Sequence, residues 1–159
     1  MHVFVTGASG WIGSAVVPEL IGAGHQVMGL ARSDSSAAAI TAAGAEVLRG
    51  DLADLDTLRA GAASSDGVIH LAFIHDFTQF EASVHADARA IEAMGAALAG
   101  SGKPLVIASG TPALPGRVAT ERDAPPPGEP AGACSAARRN RCAASSTCTA
   151  GQRLEPSPT

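Results

Sequence analysis

The sequence lacks any long run of apolar residues. No apolar stretch reaches the roughly 18 residues that a membrane-spanning helix needs, and the opening Met1-His2-Val3-Phe4 has no basic region of the kind that begins a secretory leader. These absences exclude a membrane protein and favour a cytoplasmic location. The 159 residues do contain 46% hydrophobic and 16% charged side chains, which is enough apolar surface for the core of one domain.

Cysteine is scarce and is confined to the last quarter of the chain. Cys134, Cys142 and Cys148 are spaced eight and six residues apart, and no histidine follows His85. Zinc sites usually pair cysteines about two to four residues apart, and an odd number of cysteines does not form a disulfide framework. We therefore expect no metal site and no structural disulfide.

Basic residues are also few. Residues 1–116 hold eleven acidic side chains against five basic ones, and the formal net charge of the whole chain is −4. Nucleic acids bind to clustered lysine and arginine side chains because their phosphates are negative. We expect no nucleic-acid partner.

Short strand-forming runs alternate with helical patterns along the first two thirds of the chain. This alternation predicts an α/β fold in which helices cover both faces of a parallel sheet. The predicted strands are residues 2–6, 26–31, 46–49, 67–71 and 105–109. The longest predicted helix, residues 80–99, has an apolar stripe at steps of three and four. Its members are Val84, Ala88, Ile91, Gly95 and Leu98.

Local signals predict where the three shorter helices lie. The first carries Ile12, Val16 and Leu20 on one face, and glycines end it. Ser35 can cap the second helix, which runs to about residue 43, and Asp54 can cap the third. The inward positions of the third helix are predicted to be Leu55, Leu58 and Ala62.

The composition changes after residue 123. Residues 117–159 contain six of the ten prolines and all three cysteines, whereas Val118 and Leu154 are their only large aliphatic side chains. No helical or strand period is visible from residue 125 onward, so we predict a domain at residues 1–116 and an irregular tail at residues 117–159. Five strands are fewer than a complete doubly wound sheet contains, which suggests a C-terminally truncated or frameshifted chain.

The most informative pattern lies at the start, where an apolar strand leads into a glycine-rich turn and then into a helix. Glycines at a spacing of three allow a tight turn, a close approach of the backbone to a pyrophosphate, and close packing of the helix on the sheet. The helix N-terminus adds N–H groups and a partial positive charge. A ligand-free turn is the alternative, but this context favours a dinucleotide site. The turn reads Thr6-Gly7-Ala8-Ser9-Gly10-Trp11-Ile12-Gly13.

This motif resembles that of the extended short-chain dehydrogenase/reductase superfamily, in its NAD(P)-dependent epimerase/dehydratase branch. Three later segments agree, and the resemblance covers about residues 1–123. They are Gly50-Asp51-Leu52, His70-Leu71-Ala72 and Ser109-Gly110-Thr111. The resemblance implies a Rossmann-type doubly wound parallel sheet. It also implies hydride transfer between a nicotinamide cofactor and a small-molecule substrate that carries a carbonyl or an alcohol.

A set of cofactor contacts is implied by the same resemblance. The Asp51 carboxylate would accept a hydrogen bond from the exocyclic amine of adenine, and Leu52 would pack on the adenine ring. Asp51 is equally compatible with a cap at a helix start. The other residues matched to cofactor contacts are Thr6, Gly7, Ser9, Gly10, Trp11, Ile12, Gly13, Leu71 and Ala72.

The end of the second strand predicts which dinucleotide binds. NAD-binding proteins of this type place an acidic residue there to bind the ribose 2′-hydroxyl, but this chain has Ala31, Arg32 and Ser33. A guanidinium group and a hydroxyl suit a 2′-phosphate, so NADP is favoured over NAD. The alternative is that Arg32 is an ordinary surface side chain.

Tyrosine is missing altogether. Members of the family pair a tyrosine with a lysine four residues later, whereas the one lysine here, Lys103, precedes the fifth strand. Ser109 and Thr111 match hydroxyls that would hydrogen-bond a substrate carbonyl, although a plain turn explains them equally well. His75 and Asp76 lie in a loop on the expected substrate side.

Two functions therefore stay open at the level of the sequence. The first is an NADP-dependent oxidoreductase. The second is a catalytically silent NADP-binding module that senses the nucleotide or binds a protein. His70 is predicted to be a packing residue of its strand. If the chain is only a fragment, an open sheet edge would favour aggregation or a homodimer.

Overall fold

Five strands and four α-helices alternate in the part of the chain that the computed structural model describes, which is residues 1–108, 116–118 and 120. The elements are β1 His2–Thr6, α1 Gly13–Gly22, β2 Gln26–Ala31, α2 Asp34–Ala42, β3 Glu46–Arg49, α3 Leu55–Ser64, β4 Gly67–His70, α4 Phe80–Leu98 and β5 Leu105–Ile107. A single 3₁₀ turn, Phe77–Gln79, precedes α4.

The strands form one parallel sheet in the order β3-β2-β1-β4-β5. The chain moves outward from β1 to β3 and then returns to the other side of β1 with β4, so the strand order reverses between β1 and β4. In Rossmann-type sheets the ligand lies beyond the carboxyl ends of the strands at this reversal. The predicted α/β, Rossmann-type fold is confirmed, and it places Thr6 beside His70 at the carboxyl end of β1.

Apolar side chains cover both faces of the sheet, as expected for parallel strands with helices on each side. Residues alternate along β1, so that Val3 and Val5 join one core cluster and Phe4 joins the other. The first cluster includes α1 and α2 side chains such as Val17 and Ile40. The second cluster takes side chains from α3 and α4, among them Leu58, Ala62, Ala90, Met94 and Leu98.

The bounds of the first three strands are those predicted, but the last two strands are shorter. β4 ends at His70 rather than at Leu71, and the N–H of Leu71 donates to both the carbonyl and the hydroxyl oxygen of Thr6. β5 ends at Ile107. The predicted final residue of β5, Ser109, lies outside the described residues.

The predicted inward face of α1 is partly wrong. The helix begins at Gly13, and Ile12, which was expected to point inward, is 51% exposed. The buried positions are Gly13 and Val17, with Val16 and Leu20 half-buried beside them. The face is rotated by one position because a glycine is the residue that fits where the helix meets the preceding turn.

The predicted cap of α2 is also wrong, whereas that of α3 is confirmed. Ser33 caps α2, not Ser35: its hydroxyl accepts a hydrogen bond from the N–H of Ser36. Asp54 caps α3 and accepts from both the N–H and the hydroxyl of Thr57, at 3.1 and 2.6 Å. The hydrogen bond from the Thr57 hydroxyl is the main cause that lowers the pKa of Asp54.

The stripe predicted for α4 needs a similar correction. Ile91 and Leu98 are buried as expected, but Val84, Ala88 and Gly95 are only half-buried. The centre of the buried face contains two polar side chains in place of apolar ones. These two side chains are Ser83 and Asp87, and an analysis of apolar periodicity passes over them.

Candidate dinucleotide site

The turn between β1 and α1 has room for glycine alone at its first position. Gly7 has a φ of +68°, which L side chains rarely adopt. A Cβ atom at Gly7 would lie 2.7 Å from the backbone nitrogen of Ala72 and 2.9 Å from the carbonyl carbon of Leu71. The turn therefore lies directly against the segment that follows β4, with no side chain between the two backbones.

The start of α1 packs onto the same turn. A Cβ atom at Gly13 would lie 2.1 Å from the carbonyl oxygen of Gly7 and 2.6 Å from that of Ala8. The N–H of Gly10 donates to the Gly7 oxygen at 2.9 Å and closes the turn. No side chain of the described residues caps α1, and its first turn contains no acidic residue. The helix thus leaves its partial positive charge available to an anion.

The side chains of Ser9, Trp11 and Ile12 point away from the core, whereas Ala8 is part of it. Trp11 is 95% exposed, and Ser9 and Ile12 are exposed as well. The Ser14 hydroxyl donates to the Trp11 carbonyl oxygen at 3.0 Å. Of the predicted cofactor residues in this turn, only Thr6 and Gly13 are buried.

Thr6 joins the turn to the end of β4. Its side-chain oxygen accepts hydrogen bonds from the N–H groups of Leu71 and Ala72, at 3.2 and 3.3 Å, and lies 2.7 Å from Nδ1 of His70. The predicted cofactor residues Thr6, Gly7, Leu71 and Ala72 are thus brought together in the structure at the reversal of strand order.

His70 is buried, as a packing residue would be, but it also has two polar partners. Its Nδ1 faces the Thr6 hydroxyl, and its Nε2 lies 3.0 Å from Oδ1 of Asp87 on α4. Asp87 was not predicted as a site residue from the sequence. Its position one turn after Ser83 and one turn before Ala90 and Ile91 would have placed a carboxylate on the buried face of α4.

The end of β2 presents one free cation. Arg32 is exposed and makes no ion pair or hydrogen bond within residues 1–108. The nearby Asp34, which is the first acidic residue after β2, is held by Arg49 at 2.5 Å. Ser33 is exposed, and its oxygen already caps α2 and lies 3.0 Å from the hydroxyl of Ser35.

After β3, the two residues matched to adenine are placed differently. Oδ1 of Asp51 accepts hydrogen bonds from the N–H groups of Ala53 and Asp54, at 2.7 and 3.2 Å, and so shapes the loop. Asp51 itself is exposed, but Leu52 is buried in the core beside Leu58. Asp51 thus remains accessible to a ligand, whereas little of the Leu52 side chain is exposed for an adenine ring to pack on.

The loop between β4 and α4 carries an aromatic cluster. The ring of Phe73 contacts those of His75 and Phe80, with ring centroids 5.5 and 6.3 Å apart, and His75 contacts Phe77. Asp76 caps the 3₁₀ turn through Thr78, whose hydroxyl is the main cause that lowers the pKa of Asp76. Of the two predicted substrate-side residues, His75 therefore has its ring among apolar side chains, whereas the Asp76 carboxylate holds its own loop.

Three further expectations concern other parts of the chain. The predicted catalytic residues, Ser109 and Thr111, lie outside the described residues. Across the described ranges no group of three or more histidine, cysteine, aspartate or glutamate side chains could hold a metal ion. None of the helices in those ranges is long and apolar enough to span a membrane.

A glycine turn at the strand reversal of a parallel sheet, followed by an uncapped helix start, defines a dinucleotide-binding domain of the Rossmann type. The sequence agrees with one family of such domains. Residues 3–154 match the model of the NAD dependent epimerase/dehydratase family. The chain therefore belongs to this family, and the match extends beyond residue 123, where the resemblance read from the sequence ended.

Known proteins related to the chain are longer. It is 55% identical over 126 residues to the uncharacterized protein YLL056C of Saccharomyces cerevisiae, a match that covers 77% of this chain and 42% of that protein. The chain thus spans less than half the length of this relative.

Solved structures similar to this chain are also longer than it is. A proposed epimerase from Burkholderia cenocepacia J2315 has a TM-score of 0.63 and 25% identity, over 87% of this chain and 46% of that one. The yeast methylglyoxal/isovaleraldehyde reductase Gre2, complexed with NADPH, has a TM-score of 0.55 and 25% identity, over 69% of this chain and 37% of that one.

Proposed function

We propose that this chain binds NADP(H) in preference to NAD(H), and that it serves an oxidoreductase reaction between the nicotinamide and a carbonyl or alcohol substrate. The observation that carries the choice of nucleotide is Arg32 at the end of β2, which is exposed and has no ion-pair partner among the described residues. A guanidinium group can donate two parallel hydrogen bonds to a phosphate. The complex of the related reductase Gre2 with NADPH supports the same choice.

The acidic residue nearest to Arg32 also supports NADP. A carboxylate that selects NAD must be free to accept a hydrogen bond from the 2′-hydroxyl of the ribose. The carboxylate of Asp34 instead accepts a hydrogen bond from the Arg49 guanidinium. Arg32 therefore faces no competing carboxylate partner among the described residues.

The residues at the strand reversal fit a pyrophosphate. A Cβ atom would fill the space at Gly7 and at Gly13, and the uncapped start of α1 attracts negative charge. When bound, the nicotinamide gives or accepts a hydride. The chain contributes the binding surface, and Asp51 is the candidate for contact with the adenine amine.

The substrate is proposed to lie beyond the carboxyl end of β4. The hydroxyls of Ser109 and Thr111 are the proposed donors to a substrate carbonyl, where they would stabilise charge on its oxygen. Because the chain has no tyrosine, another group must exchange the proton, and His75 in the aromatic loop is the candidate. A small-molecule substrate and a cytoplasmic location complete the proposal.

Replacement of Arg32 by alanine tests the choice of nucleotide. A hydrogen bond to a charged group contributes about 1.5–3 kcal/mol, so we expect R32A to weaken NADPH binding about ten- to hundredfold. Binding of NADH should be unchanged. Titration followed by fluorescence of Trp11, the single tryptophan, measures both affinities.

Arginine 89 provides the matched control for this experiment. Arg89 is an exposed arginine on α4, so R89A removes the same charge from the chain and should leave both affinities as they are. Equal losses in R32A and R89A would mean that net charge alone attracts the nucleotide. Unchanged NADPH affinity in R32A would refute the proposed role of Arg32.

The absence of tyrosine favours a second candidate, a module that binds NADP(H) without turnover. A panel of aldehydes and ketones separates the two candidates, because an oxidoreductase consumes NADPH in the presence of its substrate. The silent module would show saturable binding and no consumption with any member of the panel.

A further inference from the structure

Three buried polar side chains from three different elements form a continuous chain of hydrogen bonds. Thr6 at the end of β1, His70 at the end of β4 and Asp87 in the middle of α4 are each 3% exposed or less. The Thr6 oxygen lies 2.7 Å from Nδ1 of His70, and Nε2 of His70 lies 3.0 Å from Oδ1 of Asp87. Buried polar side chains remain in a fold when their hydrogen bonds are satisfied.

The hydrogen-bond pattern shows which atom carries each proton in this series of hydrogen bonds. The Thr6 oxygen accepts from the N–H groups of Leu71 and Ala72, which uses both of its lone pairs. Its own hydrogen must then be donated to Nδ1 of His70, so the ring proton is on Nε2 and is donated to Asp87. The opposite tautomer would bring three donors to one hydroxyl oxygen and leave the carboxylate without a proton to accept.

The N–H groups that Thr6 holds belong to the backbone against which the glycine turn lies. The nitrogen of Ala72 is the atom nearest to the place where a Cβ of Gly7 would be. The Leu71 N–H has a second acceptor in the Thr6 carbonyl oxygen, at 3.2 Å. The Ala72 N–H has the Thr6 hydroxyl as its acceptor in the described structure. The position of Ala72 therefore depends on how the Thr6 hydroxyl is oriented.

We propose that Asp87 is a positioning residue of the dinucleotide site. Its carboxylate accepts a hydrogen bond from Nε2–H of His70 and so favours this tautomer. Nδ1 of His70 then accepts a hydrogen bond from the Thr6 hydroxyl. The Thr6 oxygen in turn accepts hydrogen bonds from the N–H groups of Leu71 and Ala72. In this way a residue of α4 fixes the surface on which the glycine turn rests, without touching the ligand. The effect on affinity rests on the proposed function, whereas the proton arrangement does not.

The experiment compares D87L, D87N and a control variant in the full chain. Leucine removes the acceptor for Nε2–H, whereas the amide oxygen of asparagine can still accept that proton. The control is S83A, which removes another buried polar group from the same face of α4, one that donates within the helix to the carbonyl of Gln79. Three quantities are measured: the ¹⁵N shifts of the His70 ring, the exchange rate of the Ala72 amide hydrogen, and the NADPH dissociation constant.

We expect a single Nε2–H tautomer in the wild-type chain and in D87N. In D87L we expect a mixture of tautomers, faster exchange at Ala72 and about tenfold weaker NADPH binding. S83A should change none of the three quantities, even where its thermal stability is lower. A D87L protein with wild-type exchange at Ala72 and wild-type affinity would overturn the proposal, as would an Nδ1–H tautomer in the wild type.

A second pair of variants tests Thr6, at the other end of this series of hydrogen bonds, and does not depend on whether D87L folds. T6S keeps the hydroxyl and should keep slow Ala72 exchange, whereas T6V should lose it. If the wild-type chain binds neither NADPH nor NADH, the proposed function fails. The tautomer and the Ala72 exchange rate in the free protein still decide whether Asp87 acts through His70 and Thr6.

Discussion

The starts of α1 and α2 are built in opposite ways, although both helices follow a strand of the same sheet. At α2, Ser33 has an extended backbone, with φ −143° and ψ 164°, and its hydroxyl accepts the N–H of Ser36. At α1, the equivalent residue, Ile12, is already helical, with φ −73° and ψ −43°, and its side chain has no acceptor. The chain closes the start of α2 with a side-chain oxygen and leaves the start of α1 without a side-chain cap.

The difference indicates where a ligand belongs. A helix start needs acceptors for its first N–H groups, and α2 and α3 take them from Ser33 and Asp54. α1 has no side-chain cap: the N–H groups of Ser14 and Ala15 donate to the carbonyl oxygens of Gly10 and Ile12, and the helix begins at the reversal of strand order. Backbone donors and the helix dipole at such a place suit a phosphate, in agreement with the family to which the chain belongs.

The largest effect is expected when a side chain is added at Gly13, at the start of α1. In G13A, the new Cβ would lie 2.1 Å from the Gly7 carbonyl oxygen, and the backbone of the turn would have to move. We expect a loss of about 3 kcal/mol of stability, together with loss of NADPH binding. Urea unfolding and Trp11 fluorescence titration measure the two effects.

Glycine 22, at the other end of α1, is the matched control. A Cβ atom there would have no atom within 4 Å, so G22A should raise stability by up to about 1 kcal/mol and should leave binding unchanged. If G13A bound NADPH as tightly as G22A, the glycine turn would not be the phosphate site.

A smaller effect is expected at the closed start of α2. Replacement of a serine cap by alanine usually costs about 1 kcal/mol, and we expect S33A to lose that amount in urea unfolding. S35A removes a neighbouring hydroxyl that does not cap the helix, and it should change stability by less than about 0.5 kcal/mol. Equal losses would show that the whole serine cluster holds the helix start. NADPH titration of S33A also tests the predicted contact of this hydroxyl with the 2′-phosphate.

The smallest effect concerns the closed start of α3 and appears only in acid. Hydrogen bonds from Thr57 lower the pKa of Asp54, so the carboxylate stabilises the fold above the pKa of an unfolded aspartate. That contribution is lost as the pH falls below about 4. D54N keeps an oxygen acceptor but does not titrate there. The urea midpoint should therefore fall less in D54N than in the wild type between about pH 6 and pH 3.

The pKa values of Asp66 and Asp76 are lowered as well, and both residues are present in D54N and in the wild type. The backbone N–H of His2 lowers the pKa of Asp66, and the Thr78 hydroxyl lowers that of Asp76. The difference between D54N and the wild type thus isolates Asp54. Identical acid dependence in the two proteins would contradict the role of the Asp54 carboxylate.

The features that were predicted correctly from the sequence are those that depend on residues close together along the chain. The bounds of β1, β2 and β3 agree with the structure, because apolar runs there are interrupted by glycines and polar residues. The strand that leads into Gly7, Gly10 and Gly13 was sufficient to predict the turn. Ser35 was predicted as a cap in place of Ser33 because three of the four residues 33–36 are serines, and the pattern alone does not say which of them has an extended backbone.

Contacts between distant residues could not be predicted in this way. His70 meets Thr6 across 64 positions and Asp87 across 17. Apolar periodicity indicates which face of α4 is buried, but not that two polar residues lie within it. A polar residue at the spacing of a buried face is the signal that would have found Asp87. The aromatic partners of His75 likewise depend on the path of a loop.

The exposed side chains of the glycine turn have an evolutionary consequence. Every amino acid offers the same backbone N–H group, so a phosphate site made of backbone is insensitive to the identity of side chains that point outward. Trp11 is 95% exposed, whereas a Cβ atom at Gly7 or Gly13 would lie 2.7 or 2.1 Å from a backbone atom. Natural variation in this turn should therefore be nearly absent at positions 7 and 13.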